Sequence, residues 1–292
     1  MDYVLYLGDR AYSSWSLRAW LLCDVFKLPV RYRYVDFSDE AGVAAQLADA
    51  APARTVPTLK TPEGAIISES LAIAEELATR FPDAGLWPSA AKARAIARGL
   101  ASEMHAGFGA LRGDCPMNLR LAYAGFEPRD AVTADVERIE TIWDSAKSAS
   151  GGPWLCGEYS IADAFFAPVA ARIATYGLNV GPVAADYVAQ HLAHLPFRRW
   201  RAMGLVSGAT LPWYAMPHAH RNWPGPVPLA ATPIAAEDAQ PLNRLCPYSQ
   251  EPVTDFLRLD GRDYGFCNPF CRDKTAADPE AWPHFMALTR EP

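Results

Sequence analysis

The sequence predicts an α/β domain with a mixed sheet, then an all-helical domain, and finally a small cysteine-containing C-terminal module. Residues 1–80 alternate strand and helix signals in the order strand, helix, strand, hairpin and helix. Residues 90–205 carry apolar positions at helical spacing. Residues 241–292 follow a segment rich in Pro and Ala and contain three of the six cysteines. These three observations define the predicted fold class and its domain limits.

Composition narrows the possible partners and location of the chain. With 292 residues, 50% apolar and 21% charged, it has the make-up of a globular protein with a sizeable core. A net charge of -6 argues against nucleic acid and anionic membrane as partners. No apolar run has the length of a membrane helix, and no secretory signal is visible, so we expect a cytoplasmic protein. In that compartment, cysteines are expected as thiols or metal ligands rather than disulfides.

The first strand and helix are predicted at 3–7 and 16–26 from an apolar run followed by helical periodicity. Period-2 character predicts a second strand over 30–37, and a short helix suits 41–49. These elements form the βαβ part of the predicted sheet.

A hairpin and a helix complete the first domain. Residues 55–59 are predicted as a strand at an edge or turn, because Pro57 supplies no N–H to a sheet. The chain turns and resumes as a strand over 65–67, and a helix is predicted over 71–80.

The second domain begins after a Pro- and Gly-containing linker. One helix face is traced by apolar residues from Val136 to Ala146, and Gly151 ends that helix. Ser160 and Asp163 have the spacing of a capping box that starts the next helix. Residues 212–240 lack a clear period and are predicted as an extended wrapping segment or linker.

Hydroxyl groups cluster where the first strand passes into the first helix. Ser13, Ser14 and Ser16 lie at this turn, where free N–H groups and the positive helix end favour an anion. A bound thiolate is one such anion. The alternative interpretation is that these serines only cap the helix.

The order and spacing of several motifs resemble the glutathione transferase superfamily over roughly the first 205 residues. The motifs are Ser-Ser-Trp-Ser-Leu-Arg from Ser13, Thr-Val-Pro-Thr-Leu from Thr55, Ser-Glu-Ser from Ser68 and Ser-Ile-Ala-Asp from Ser160. The first is similar to the zeta class, which includes maleylacetoacetate isomerases, although Trp15 replaces a Cys of that class. The resemblance implies a thioredoxin-like first domain and a homodimer.

The resemblance also implies which residues activate and hold glutathione. Ser13 or Ser14 would donate a hydrogen bond to the glutathione sulfur, with Ser16 in support, because such a bond favours thiolate over thiol. The residues that would bind the rest of the tripeptide are Arg54, Val56, Pro57, Glu69 and Ser70. Here the Val56–Pro57 bond would be cis. A trans bond at Pro57, and plain helix capping by Glu69 and Ser70, are the alternatives.

The electrophile pocket is expected in the helical domain. The residues that would line it are Met104, His105, Phe108 and Arg112, together with Met117 and Tyr123. Core packing in a helical bundle is the alternative for each of them. Arg112 needs a partner, either an anionic group of the substrate or an acid such as Asp114. The absence of a CxxC pair from the first domain argues against disulfide exchange, and Cys23 is predicted as a core residue.

Three cysteines in the C-terminal module have metal-ligand spacing. Cys246, Cys267 and Cys271 follow a C-x20-C-x3-C pattern that resembles the small YHS and TRASH metal-binding modules. Thiolates suit zinc or another soft ion, but a structural zinc site has four ligands, and His284 and Asp273 are the candidates for the fourth. A metal-free module and a disulfide from Cys246 remain as alternatives.

The function that these patterns favour is that of a glutathione transferase, which activates the glutathione thiolate for attack on an electrophilic substrate. Two alternatives stay open. One is a non-catalytic glutathione-binding or metal-responsive protein that acts through its C-terminal cysteines. The other is a glutathione-dependent isomerase of the zeta type.

Overall fold

The structure, a computed structural model, describes residues 2–290 and divides the chain into two compact units. The first comprises the residues up to Leu192 together with Ala209–Pro224. The second comprises Ala193–Gly208 together with the residues from Gly225 on. Within residues 2–290, none of the helices combines the length and apolar character needed to cross a lipid bilayer.

A four-stranded mixed sheet opens the first unit. Its elements are β1 (Tyr3–Leu7), α1 (Ser14–Val25), β2 (Val30–Tyr34), α2 (Gly42–Gln46), β3 (Thr58–Lys60), β4 (Ile66–Ser68) and α3 (Ser70–Arg80). The strand order is β2-β1-β3-β4, with β1 parallel to β2 and antiparallel to β3, and β3 antiparallel to β4. The predicted βαβ unit, hairpin and helix are therefore confirmed.

Element boundaries in this domain differ from the predicted ones by a few residues. The predicted strand 55–59 pairs only from Thr58 onward, because Pro57 has no N–H to contribute to the ladder. The predicted helix 41–49 is divided into α2 and a 3₁₀ turn, Ala48–Ala50. The strand predicted over 30–37 ends at Tyr34.

Helices make up most of the remainder of the first unit. They are α4 (Ala91–Ala106), α5 (Gly109–Asp114), α6 (Asp130–Ser150), α7 (Ile161–Tyr176) and α8 (Pro182–Ala193), with a short strand β5 (Ala122–Ala124) between α5 and α6. Every residue of α7 is buried, and this helix packs against both α1 and α4. The predicted apolar face of α6 is buried, and Gly151 ends the helix in a left-handed conformation.

The start of α7 is held by a buried carboxylate. Asp163 accepts hydrogen bonds from the N–H groups of Leu155 (3.1 Å) and Ser160 (2.9 Å) and from the hydroxyls of Ser160 (3.1 Å) and Tyr187 (2.8 Å). The capping box predicted from Ser160 and Asp163 is confirmed. Burial raises the pKa of Asp163, while these hydrogen bonds lower it.

Part of the predicted wrapping segment runs along the first unit. Strand β6 (Ala219–Arg221) pairs antiparallel with β5, and the Arg221 Nε donates to the Tyr123 carbonyl at 2.7 Å. Earlier in the segment, the Leu211 N–H donates to the Tyr12 hydroxyl at 3.3 Å, and Tyr214 stacks on the Tyr12 ring at 4.7 Å. This stretch therefore adds side chains to the neighbourhood of the β1–α1 turn.

The second unit is an antiparallel three-stranded sheet with helices. It contains α9 (Leu195–Val206), β7 (Ala231–Ile234), β8 (Asp255–Leu259), β9 (Arg262–Phe266), α10 (Pro269–Ala277) and α11 (Pro283–Thr289). Helix α9 packs on α10, and Arg198 of α9 makes a bidentate ion pair with Asp278 (2.8 and 2.6 Å). The unit thus extends beyond the predicted limits 241–292, since it includes α9 and the strand β7.

Candidate functional site

Two of the predicted serines are tied to each other at the start of α1. Ser13 is the N-cap residue, and its Oγ accepts from the Ser16 N–H at 3.3 Å. The Ser13 hydroxyl donates to Ser16 Oγ at 2.8 Å, and Ser16 Oγ also accepts from the Gly8 N–H at 2.9 Å. The capping interpretation therefore holds for Ser13, whose hydroxyl proton is already engaged.

Ser14 differs from its neighbours because its hydroxyl is held by an arginine. Ser14 Oγ accepts from Arg172 Nη2 at 3.3 Å. Within residues 2–290, it donates no hydrogen bond to another protein group. Its proton is thus free to be donated to a ligand, and the hydroxyl lies in the first turn of α1, where the helix dipole favours negative charge.

A cavity of about 360 Å³ lies beside these serines. Its lining comes from the β1–α1 turn, from segments between β2 and β3, from the helical domain and from the stretch that follows α9. The lining residues are Tyr12, Ser13, Ser14, Trp15, Phe37, Val43, Arg54, Thr55, Val56, Arg112, Pro116, Met117, Arg172 and Tyr214. Three of these residues are arginines and none is acidic. The cavity therefore has an aromatic and apolar lining with a concentrated positive charge.

A further guanidinium, that of Arg18 in α1, does not line the cavity but lies over an aromatic ring that does. Arg18 lies 4.3 Å from the Trp15 ring centroid, and Arg112 lies 4.7 Å from the same ring. Burial lowers the pKa of Arg18 well below its ordinary value, and the charges of Arg172 and Arg112 lower it further. Burial likewise lowers the pKa of Arg172, to about 10.

A second cavity, of about 260 Å³, lies next to the first and shares Trp15, Thr55 and Val56 with it. The Val56–Pro57 peptide bond that lines it is cis, as the family resemblance implied, and the trans alternative is wrong. Glu69, with φ +76°, precedes α3, and the Ser70 hydroxyl is buried with no hydrogen-bond partner among the described residues. A buried hydroxyl without a partner fits a site that a polar ligand completes.

The residues predicted for the electrophile pocket separate into two groups. Arg112 and Met117 line the larger cavity, whereas Met104 and Phe108 are buried and do not. His105 lies outside that cavity too, with its Nε2 3.7 Å from a Glu69 carboxylate oxygen. Burial, then Arg18, lower the pKa of His105 against the opposing effect of Glu69, with a smaller lowering from Arg112.

Arg112 does not form an ion pair with Asp114, the acidic partner suggested from the sequence. Its Nη1 donates to the carbonyl oxygens of His105 (3.4 Å) and Gly107 (3.2 Å). Asp114 instead forms a bidentate pair with Arg129. The alternative of an Arg112–Asp114 pair is therefore wrong, and the guanidinium of Arg112 remains available to the cavity.

The three C-terminal cysteines converge in the second unit. The Sγ atoms of Cys246, Cys267 and Cys271 all lie within 4.8 Å of one another. No carboxylate or imidazole within residues 2–290, including His284 and Asp273, completes this group as a fourth ligand. All six cysteines are free thiols, so the structure contains no disulfide from Cys246.

Hydrogen bonds to sulfur favour the thiolate form of Cys246 in this cluster. Cys267 Sγ accepts from the Ser249 hydroxyl and from Asn268 Nδ2, each at 3.2 Å. Burial raises the pKa of Cys246, but the N–H groups of Ser249, Tyr248 and Cys267 and the Cys267 thiol outweigh it, and the pKa falls to about 7. Burial raises the pKa of Cys271 to about 12.

Sequence reasoning missed Arg18, Arg172 and Tyr214. The first two lie in the apolar helices α1 and α7, and each has less than one twentieth of its surface exposed. A charged residue within an otherwise apolar helix is the signal that identifies such groups. Tyr214 belongs to a stretch without periodicity, and its place in the cavity depends on the tertiary path of the chain.

Comparison with known proteins gives consistent matches. Residues 12–80 match the family model described as glutathione S-transferase, N-terminal domain. A probable maleylacetoacetate isomerase from Caenorhabditis elegans is 29% identical over 195 residues, which is 66% of this chain and 89% of that protein.

Solved structures share the fold. A glutathione transferase homologue from Burkholderia gl BGR1, with bound glutathione, has a TM-score of 0.54 and 23% identity over 71% of this chain and all (100%) of that one. Glutathione transferase Omega 3C from Trametes versicolor has a TM-score of 0.52 and 19% identity, over 69% and 84% of the two chains. This chain is therefore longer than the fold it shares with the Burkholderia protein.

Proposed function

We propose that this chain, whose residues 12–80 match the family model of the glutathione S-transferase N-terminal domain, activates the glutathione thiolate for attack on an electrophile. The observation that carries this proposal is the Ser14 hydroxyl. It lies in the first turn of α1 with its oxygen held by Arg172 and its proton uncommitted among the described residues. A hydroxyl in this state donates to a bound sulfur and so favours thiolate over thiol.

Ser14, rather than Ser13, is therefore our choice for the donor. Ser13 already donates to Ser16 and caps α1, so its use on a ligand would cost the helix a hydrogen bond. Arg172 acts in two ways. It orients Ser14 Oγ and adds positive charge close to the developing thiolate.

The second cavity fits the peptide part of glutathione. Glu69 supplies a carboxylate for the γ-glutamyl ammonium, and Ser70 with the N-terminus of α3 supplies donors for the neighbouring carboxylate. The cis Val56–Pro57 segment offers backbone groups to the cysteinyl part, and Arg54 offers charge to the remaining carboxylate. The partnerless Ser70 hydroxyl supports this assignment.

Two matched substitutions test the choice of serine. Ser14→Ala should lower kcat/KM with glutathione and a haloarene acceptor by about 10- to 100-fold, which is the effect of one charge-assisted hydrogen bond. Ser13→Gly, which retains most of the capping preference, should keep activity and lose only a few tenths of a kcal/mol of stability. Equal turnover in wild type and Ser14→Ala would remove Ser14 from the mechanism.

A glutathione-dependent isomerisation is the second candidate function. The matched nematode protein is named as a probable maleylacetoacetate isomerase, which favours testing that reaction. Trp15 lines both cavities and occupies the position of a cysteine of the zeta class. The absence of that cysteine at position 15 reduces the support for the isomerase function. Direct assay of maleylacetoacetate with and without glutathione distinguishes the two. Isomerisation without transfer to haloarenes would favour the isomerase.

A metal ion at the C-terminal cysteines is a separate proposal, favoured by the close approach of Cys246, Cys267 and Cys271. These thiols suit a thiophilic ion such as zinc, with a fourth ligand from outside the described residues or from water. Titration of the purified full chain with zinc should displace thiol protons and protect all three cysteines from alkylation. Unchanged alkylation in the presence of zinc would leave the module metal-free and end the hypothesis of a metal-responsive protein.

We also expect a cytoplasmic homodimer whose partners are glutathione and a small electrophile, without nucleic acid or membrane. The superfamily resemblance supports the dimer, and the net charge of -6 supports the exclusions. Light scattering on the purified chain tests the dimer directly. A monomeric mass at all concentrations would reject it.

A further inference from the structure

The arginines around the larger cavity lack the anion that their burial requires. Arg18 has 1% of its surface exposed, and its Nε and Nη1 atoms have no hydrogen-bond partner among residues 2–290. Its guanidinium lies over the aromatic rings of Trp15, at 4.3 Å from the centroid, and Phe165, at 4.9 Å. Buried charges in proteins are normally paired, so this guanidinium leaves uncompensated positive charge next to a ring that lines the cavity.

The two neighbouring arginines do not supply that balance. Arg172, with 4% of its surface exposed, donates to the carbonyl oxygens of Cys115 (2.8 Å) and Pro168 (3.3 Å) and to Ser14 Oγ. Arg112 donates to carbonyl oxygens only, at 3.2 and 3.4 Å. None of these contacts involves a carboxylate. The partners are neutral, and the positive charge of the cluster is not compensated by them.

Mutual repulsion adds to the cost of this arrangement. The charges of Arg172 and Arg112 act on Arg18 in the same direction as its burial, because both disfavour its protonated form. Among residues 2–290, no acidic side chain lines the cavity that Arg112 and Arg172 face. An anion placed there would relieve the repulsion and accept hydrogen bonds from Arg112 and Arg172, which line the cavity.

The glutathione thiolate would balance Arg172, but it leaves Arg112, which donates to backbone carbonyl oxygens, without an anion. The groups proposed for its carboxylates are Arg54 and Ser70, and Ser70 lies in the second cavity. The cavity that Arg112 and Arg172 line is the one open to Ser14, where the acceptor must approach the sulfur. The unmatched charge therefore faces the electrophile rather than the tripeptide.

We propose that the acceptor of this enzyme is an anionic electrophile that carries a carboxylate beside an aromatic or other planar body. Arg112 binds the carboxylate, and Arg18 and Arg172 reinforce the positive potential from within the core. Trp15, Phe37 and Tyr214 pack against the planar part. This inference rests on the proposed function for the identity of the reaction, but the anion site itself does not require turnover.

With a chloroarene acceptor the step is balanced. The glutathione thiolate forms a carbon–sulfur bond at the ring carbon, the carbon–chlorine bond breaks, and chloride leaves with the electron pair. The thiol proton has already passed to solvent when the thiolate forms. A carboxylate on the ring takes no part in bond making, so its effect reports binding and orientation.

A binding experiment tests the site without glutathione. The full-length protein is heated with benzoate, or with benzamide at equal ionic strength. Benzoate should raise the midpoint of thermal unfolding and benzamide should not, because only the carboxylate pairs with guanidinium groups. In Arg112→Gln the benzoate shift should be lost, in Arg112→Lys it should be partly retained, and in the exposed control Arg138→Gln it should be unchanged. Equal shifts from benzoate and benzamide in the wild type, or a full benzoate shift in Arg112→Gln, would overturn the proposal.

A turnover experiment separates the acceptor site from glutathione binding. The kcat/KM values for 4-chloro-3,5-dinitrobenzoate and for its methyl ester are each divided by the uncatalysed rate. The acid-to-ester ratio should fall about tenfold or more in Arg112→Gln and stay constant in Arg138→Gln. A rise in the KM for glutathione with an unchanged ratio would assign Arg112 to glutathione and overturn the proposal. Benzoate binding without turnover of either acceptor would reject the transferase while retaining the anion site.

Discussion

At the scale of single residues, Arg18 connects the stability of the core with the character of the site. Its guanidinium is buried against two aromatic rings, with two nitrogens unpartnered among the described residues. Arg18→Met retains the length of the side chain and removes the charge. We expect this change to raise the free energy of unfolding by about 1 kcal/mol or more, since an uncompensated buried charge is costly.

The control for that substitution is Arg138→Met, at an exposed ion pair with Glu103, which should change stability by less than about 0.5 kcal/mol. Urea unfolding of both variants provides the comparison. If Arg18→Met were strongly destabilised and still showed the full benzoate shift, Arg18 would be a packing residue without a role in anion binding.

His105 makes the folding stability of the first unit depend on pH. Burial and the charge of Arg18 lower its folded-state pKa below the ordinary value of about 6.5. The unfolded chain therefore takes up the proton first as pH falls. The stability that neutral His105 contributes is complete above about pH 6.5 and is lost as pH falls through the lower folded-state pKa.

Thermal midpoints measured between about pH 7 and pH 5 check this expectation. His105→Gln should have a flatter profile than the wild type over this range, and His284→Gln, in the second unit, should keep the wild-type slope. Identical slopes of thermal midpoint against pH for the wild type and His105→Gln would show that other groups cause the loss of stability in acid.

At the scale of elements, a buried and fully hydrogen-bonded carboxylate holds the start of α7. Asp163 is fully buried and accepts four hydrogen bonds. Asp163→Ala would leave those donors without a partner, and we expect it to lower the free energy of unfolding by roughly 3 kcal/mol. Asp144→Ala, on the exposed side of α6, should stay within about 0.5 kcal/mol of the wild type in the same urea titration. If Asp163→Ala lowered the free energy of unfolding by less than about 1 kcal/mol, the packing of α7 would contribute more to stability than its N-terminal cap.

Most elements were predictable because local patterns decide them. The apolar face of α6 and the capping box at Ser160 each follow from residues a few positions apart. The cis bond before Pro57 was expected through family resemblance. The strand predicted over 30–37 ended early, since the boundary depends on pairing with β1, which itself ends at Leu7.

At the scale of the whole molecule, the parts that the sequence did not predict are those created by distant segments. Arg172 and Ser14 are 158 residues apart, and the hydrogen bond between Leu211 and Tyr12 spans 199. Only the tertiary path brings these groups together. The second unit likewise brings α9 and β7 together with the C-terminal strands and helices across long sequence separations.

The ionisation of glutathione is the central claim of this account, and ultraviolet titration of the protein–glutathione complex tests it most directly. The account predicts a bound-thiol pKa at least about one unit below the ordinary thiol value of about 8.5 in the wild type and in Ser13→Gly. It predicts a return toward that value in Ser14→Ala. A wild-type midpoint equal to that of free glutathione, or the same lowered midpoint in Ser14→Ala, would contradict the account.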